Sequence, residues 1–149
     1  MEKNLNILWA STGGNAEGVA NRLNEKAGQL GIKIDQQELN DVSIKKFSEM
    51  KNVAVVTSTF GEGDFPANGE EFWQDIENKD LDLKEMNYSV CALGDSSHDI
   101  FCGAGKKLDE KLVKSGANKI LERQECDGSD EGSEEWSENF LKKINGMLT

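Results

Sequence analysis

Residues 53–66 read Val-Ala-Val-Val-Thr-Ser-Thr-Phe-Gly-Glu-Gly-Asp-Phe-Pro, four apolar residues in a row that give way to hydroxyls, glycines and carboxylates. A run without polar alternation suits a strand covered on both faces, the usual condition of a central strand in a parallel sheet. Val90-Cys91-Ala92-Leu93 repeats the pattern and also ends in a polar loop. With Leu5 to Ala10, Ile32 to Glu38 and Lys119 to Gln124, the runs Val53 to Ser58 and Tyr88 to Leu93 predict five strands.

Helical periodicity fills the gaps between them. Val19, Leu23, Ala27 and Leu30 share one face, as do Phe101, Ala104, Leu108 and Leu112, and then Trp136, Phe140, Ile144 and Leu148. A further helix is expected from about Asn68, whose amide would cap it with Glu71 completing a capping box. A weaker one surrounds Ile44 and Phe47. Strands alternating with helices imply a doubly wound α/β fold, here with five parallel strands and right-handed crossovers. No internal repeat or linker interrupts residues 1–149, which read as one domain. Ligands of such sheets lie beyond the carboxyl ends of the strands.

Composition narrows the function. The 149 residues carry 17 Lys+Arg against 28 Asp+Glu, a net charge of -11, which argues against nucleic acid as a partner. No apolar run approaches the roughly 20 residues of a membrane helix, so no membrane insertion is expected. Met1 to Ala10 lacks the pattern of a secretory signal, which points to the cytoplasm. Cys91, Cys102 and Cys126 form no Cys-x-x-Cys pair, so they read as thiols, with no metal site expected.

Ser11-Thr12-Gly13-Gly14-Asn15-Ala16 follows the first strand and opens a helix. Glycines permit tight geometry, hydroxyls and an amide donate, and the helix end adds oriented N–H groups, together a phosphate cradle. Neither Lys nor Arg lies between Lys3 and Arg22, so such a phosphate would rest on N–H and O–H donors alone. The loop lacks both Gly-x-Gly-x-x-Gly and the P-loop pattern. Gly103-Ala104-Gly105-Lys106 has the wrong spacing for the latter. No acidic pair follows the first strand, so a phosphoacceptor role is disfavoured, and no Ser/His/Asp constellation or other catalytic machinery stands out.

Ser58-Thr59-Phe60-Gly61-Glu62-Gly63-Asp64 and Leu93-Gly94-Asp95-Ser96-Ser97-His98-Asp99-Ile100-Phe101-Cys102-Gly103 resemble the two flavin loops of flavodoxin-like FMN domains, as in sulfite reductase flavoprotein and cytochrome P450 reductase. The likeness runs through essentially the whole chain and is greatest to the short, free-standing bacterial flavodoxins of the MioC-like type. It implies strand order 2-1-3-4-5 and an FMN-binding electron carrier rather than a self-contained enzyme. The partners implied are an NADPH-dependent flavoprotein reductase as donor and a redox acceptor protein. Ser11, Thr12, Gly13, Gly14, Asn15 and Ala16 would hold the FMN phosphate. Ser58, Thr59, Phe60 and Gly61 would flank the isoalloxazine on one side, and Leu93 to Cys102 on the other. Phe60 and His98 stand where the family usually has its stacking pair, amides near Gly94 and Asp95 would meet the pyrimidine edge, and the Gly61 carbonyl can turn toward flavin N5. An alternative is an FMN-dependent reductase acting directly on a nicotinamide donor and a quinone or ferric acceptor.

Two positions depart from the commoner family pattern. Gly13 replaces a hydroxyl residue, which removes one donor to phosphate. His98, the only histidine, stands where tyrosine is usual; it offers a flat stacking surface, and if protonated it would favour negative charge on the reduced ring. The acid is concentrated in two segments. Glu122 to Glu138 holds eight carboxylates against Arg123 alone, and Glu62 to Glu85 holds nine against Lys79 and Lys84. Asp127, Asp130, Glu131, Glu134 and Glu135 are therefore expected to form a docking face that steers basic partners to the flavin. Nothing in the sequence suggests an oligomer, and a monomer is expected.

Overall fold

The computed structural model describes residues 4–11, 14–59, 64–94, 102–127 and 129–148, with the side chains of 147 and 148 excepted. Strands β1 (Asn4–Ala10), β2 (Lys33–Glu38), β3 (Asn52–Thr57), β4 (Asn87–Gly94), β5 (Asn118–Lys119) and β6 (Gln124–Asp127) build one sheet. Its order is β2-β1-β3-β4-β5, with β6 also paired to β4, and every pairing is parallel. Helices α1 (Asn15–Gln29), α2 (Ile44–Glu49), α3 (Ala67–Glu77), α4 (Gly103–Lys114) and α5 (Ser133–Leu148) supply the crossovers and covering layers. This is the doubly wound arrangement that the alternating pattern predicts.

Side chains alternate between two cores. Leu8, Ala10, Val53, Val55, Val90 and Ala92 face the α3–α4 layer with Phe72, Ile76, Leu108 and Leu112. Leu5, Ile7, Ala54, Val56, Cys91 and Leu93 face the α1–α5 layer with Val19, Leu23, Trp136 and Phe140. All six residues of β3 are buried, which explains its unbroken apolar run. Ile144 is buried with the second core, while Phe101 and the Leu148 side chain lie outside the described residues.

Three expectations need correction. The strand expected over Lys119 to Gln124 is interrupted. Tyr88 pairs with Lys119 and Cys91 with Gln124, so β4 advances three residues while the edge advances five. The surplus is absorbed at residues 120–123: Ser89 Oγ donates to the Leu121 carbonyl at 3.0 Å, and Arg123 turns to Asp109. Leu30 is 45% exposed because α1 stops at Gln29. Gly31, at φ 75°, reverses the chain so that the Ile32 amide donates to the Ala27 carbonyl and Ile32 takes the buried place. Finally, Asn68 does not cap α3; Pro66 is the cap residue, and the Asn68 amide is committed elsewhere.

Asp109 is the polar centre of the α4 side. It is 1% exposed and accepts from Tyr88 Oη at 2.6 Å and Arg123 Nη1 at 2.5 Å, with Lys119 Nζ at 3.2 Å. A buried carboxylate so surrounded is tolerable because its lone pairs are taken up by cations and a hydroxyl. Burial and this hydrogen bond push the Tyr88 phenol above its ordinary range. Among the described residues, no helix is long and apolar enough to cross a membrane.

Candidate functional site

The carboxyl ends of β1, β3 and β4 converge on one edge of the sheet. At the end of β1 the backbone is held twice: the Ala10 carbonyl accepts from Ser58 N at 2.9 Å, and Ser11 N donates to Asn68 Oδ1 at 3.0 Å. Ser11 Oγ in turn accepts from Gly14 N at 2.9 Å, which leaves its own proton for another acceptor.

Gly14 sits at φ 89° as the N-cap of α1, a conformation that suits glycine. Among the described residues no side chain caps this helix, and its first backbone bond runs from Gly18 N to Gly14 O at 2.9 Å. The amides of Asn15, Ala16 and Glu17 therefore precede the helical hydrogen-bond ladder and point out of its positive end. A hydroxyl and amides that precede the helical ladder, with no Lys or Arg in the loop's sequence, suit a phosphoryl group held by neutral donors.

After β3, Thr57 Oγ1 donates to the Ser58 carbonyl at 2.9 Å, and Thr59 Oγ1 accepts from Ala104 N at 3.4 Å. Thr59 thus ties its loop to the first turn of α4. After β4 the backbone passes very close to itself. A Cβ on Gly94 would lie 2.8 Å from Cys102 N and 3.1 Å from its Sγ. Cys102 occupies the left-handed region at φ 54°, the one described non-glycine residue that does so, and is the N-cap of α4. Its fully buried thiol donates to the Ala92 carbonyl at 3.5 Å. Burial, assisted by the nearby Glu125 carboxylate, pushes that thiol up to about 12. Cys91 and Cys126 are buried with their sulfurs 3.8 Å apart, and all three cysteines are free thiols. Hydrogen bonding from Cys91 lowers the Cys126 thiol and raises that of Cys91 itself.

Of the residues expected to bind the cofactor, Ser11, Gly14, Asn15, Ala16, Ser58, Thr59, Leu93, Gly94 and Cys102 are brought to this one edge. Thr12, Gly13, Phe60, Gly61, Asp95, Ser96, Ser97, His98, Asp99, Ile100 and Phe101 lie outside the described residues. Ser11 is joined to Asn68, Ala10 to Ser58, and Gly94 lies against Cys102, all at the carboxyl ends of neighbouring strands. The bonds between Asn68 and the Ser11 amide and between Thr59 and the Ala104 amide are ones that sequence reasoning missed. The Asn68-Gly69 pair was the available signal, since glycine inside a helix marks a close approach.

The acidic residues expected to dock a partner are partly spent within the chain. Asp130, in the bend before α5, pairs with Arg22 of α1, and Glu134 of α5 lies 3.5 Å from Lys26 of α1. Asp127, Glu131 and Glu135 are exposed.

Residues 7–140 match the flavodoxin family model. The chain is 39% identical over 147 residues to the sulfite reductase [NADPH] flavoprotein alpha-component of Vibrio parahaemolyticus, covering 97% of this chain and 24% of that protein. The Bacillus subtilis protein of that description is 33% identical over 147 residues, with the same shares covered. The chain thus spans about a quarter of the length of these curated relatives. A flavodoxin of Streptococcus pneumoniae TIGR4 superposes with a TM-score of 0.82 at 30% identity, covering 97% of this chain and 99% of that one. With the parallel sheet and the uncapped α1 terminus, these likenesses establish that the chain belongs to the flavodoxin family, FMN-binding electron-transfer proteins.

Proposed function

We propose that this chain is a single-domain, monomeric electron carrier, not an enzyme in its own right, that receives electrons from a separate NADPH-dependent flavoprotein reductase and passes them to an acceptor protein. The observation that carries the reading is the meeting of the Ser11 clamp and open α1 terminus with the Gly94–Cys102 close approach on one sheet edge. When bound, FMN supplies the redox chemistry, taking up and releasing one or two electrons.

The chain's own residues bind and orient. Ser11 Oγ and the amides of Asn15, Ala16 and Glu17 are assigned to the phosphate, with the Gly14 amide holding Ser11 Oγ in place. Ser58 and Thr59 stand on one flank of the ring site, and Leu93, Gly94 and Cys102 on the other. Thr59, bonded to Ala104 N, keeps the two flanking segments in fixed relation. Carboxylates near the site disfavour added negative charge and so lower the reduction potential. Asp127, Asp130, Glu131, Glu134 and Glu135 are assigned to the partner-facing surface.

The likeness to NADPH sulfite reductase components is the support for a nicotinamide-fed donor. The test is anaerobic rapid mixing of the FMN-loaded protein with NADPH, alone and with a catalytic amount of a flavoprotein reductase. Bleaching of flavin absorbance only when the reductase is present is expected. Bleaching of comparable rate with NADPH alone would favour the self-contained reductase.

A further inference from the structure

Asn68 is placed where a helix cap is expected, yet its side chain reaches 57 residues back along the chain to Ser11 N at 3.0 Å. Two features bring it there. Gly69 has no Cβ, and one would lie 2.8 Å from the Cβ of Ala10, so only glycine lets α3 settle this closely on the end of β1. Asn40, in the turn after β2, fixes the same helix start: its Nδ2 donates to the Ala67 carbonyl at 2.8 Å, and its Oδ1 accepts from Phe72 N at 3.0 Å.

We propose that Asn68 is a positioning residue for FMN phosphate: by holding the Ser11 amide it presents the Ser11 hydroxyl and the adjoining α1 amides in the geometry a phosphoryl group needs. Asn68 acts through Ser11, and this inference rests on the assignment of Ser11 and the first amides of α1 to the phosphate. The chain of contacts is continuous. Asn68 Oδ1 fixes Ser11 N, Ser11 Oγ fixes Gly14 N, and Gly14 starts α1. With no cation among these contacts, affinity for the phosphate depends on how well neutral donors converge, so a small displacement of Ser11 matters more than it would beside a lysine.

The test compares FMN with riboflavin, which shares the ring and lacks the phosphate. Apoprotein and its Asn68→Ala variant are titrated with each by quenching of flavin fluorescence, and thermal melting of both apoproteins is recorded. Loss of one hydrogen bond's positioning is expected to weaken FMN about tenfold while riboflavin affinity changes less than about twofold. Equal losses for both flavins, or none for either, would overturn the role of Asn68. Equal affinity of the parent protein for FMN and riboflavin would instead overturn the phosphate assignment beneath it. A second measurement stands even if the variant does not fold: in the parent apoprotein the Ser11 amide is expected to exchange with solvent slowly, and rapid exchange would show that Asn68 does not hold it.

Discussion

Gly94 and Cys102 show how a single position controls the ring side of the site. A methyl group at Gly94 would collide with backbone, which cannot rotate away as a flexible side chain could. Gly94→Ala is therefore expected to destabilise the protein by roughly 1–3 kcal/mol, read by urea denaturation, and to weaken FMN binding. Retention of both properties would show that Cys102 shifts freely. The Cys102 thiol makes a pH prediction of definite sign. Its value rises from an ordinary 9.0 to about 12 on folding, because burial disfavours the thiolate. The unfolded chain thus loses its proton first, and the stabilisation is complete below about pH 9 and lost as pH climbs toward 12. The urea midpoint should fall across that window, with Tyr88, shifted in the same direction, adding to it. Cys102→Ala should flatten the slope, and an unchanged slope would place the titration elsewhere.

At the scale of elements, α4 and the interrupted edge are joined through a buried charge, whereas the ion pairs between α1 and α5 involve exposed carboxylates outside their shared core. Removing Asp109 takes the shared buried acceptor from a guanidinium, an ammonium and a phenol, leaving Arg123 with Glu125 and Lys119 with Glu122. Asp109→Ala is expected to cost roughly 3–5 kcal/mol. Lys26, 28% exposed and paired with Glu134 and Glu138, should cost about 1 kcal/mol or less as Lys26→Ala, since water competes for its partners. Chemical denaturation of the two variants side by side checks the contrast, and comparable losses would refute it. The interrupted edge also marks the limit of sequence reading. The continuous runs Val53–Val56 and Val90–Leu93 announced central strands because burial on both faces leaves no polar positions. An edge strand lacks that signature, and the bulge at 120–123 depends on Ser89 and Asp109, both more than ten residues away. The expected cap at Asn68 failed for a similar reason: a residue that satisfies a local motif was engaged by a distant amide.

Across the whole molecule, alternation of strand and helix made the doubly wound parallel sheet legible, while its order came from the resemblance carried by the loops. The distribution of charge was legible only in outline. Eight carboxylates in residues 122–138 suggest a strongly negative face, but Arg22 and Lys26 on α1 draw Asp130, Glu134 and Glu138 into structural pairs that no local count reveals. The steering effect should accordingly be modest. The rate of electron transfer from a basic reductase is expected to fall with ionic strength, and Glu131→Lys should lessen that dependence by more than Asp130→Lys does, because Arg22 already offsets Asp130. A rate independent of salt would remove the docking face.

The claim beneath all of these is that the β1, β3 and β4 ends form a flavin site built on neutral phosphate donors. Titration of FMN fluorescence with the apoprotein tests it most directly. Quenching that saturates at one flavin per chain, with micromolar or tighter affinity on the order expected for a preformed cofactor site, is the predicted result. Fluorescence that remains unquenched with protein in large excess would contradict it.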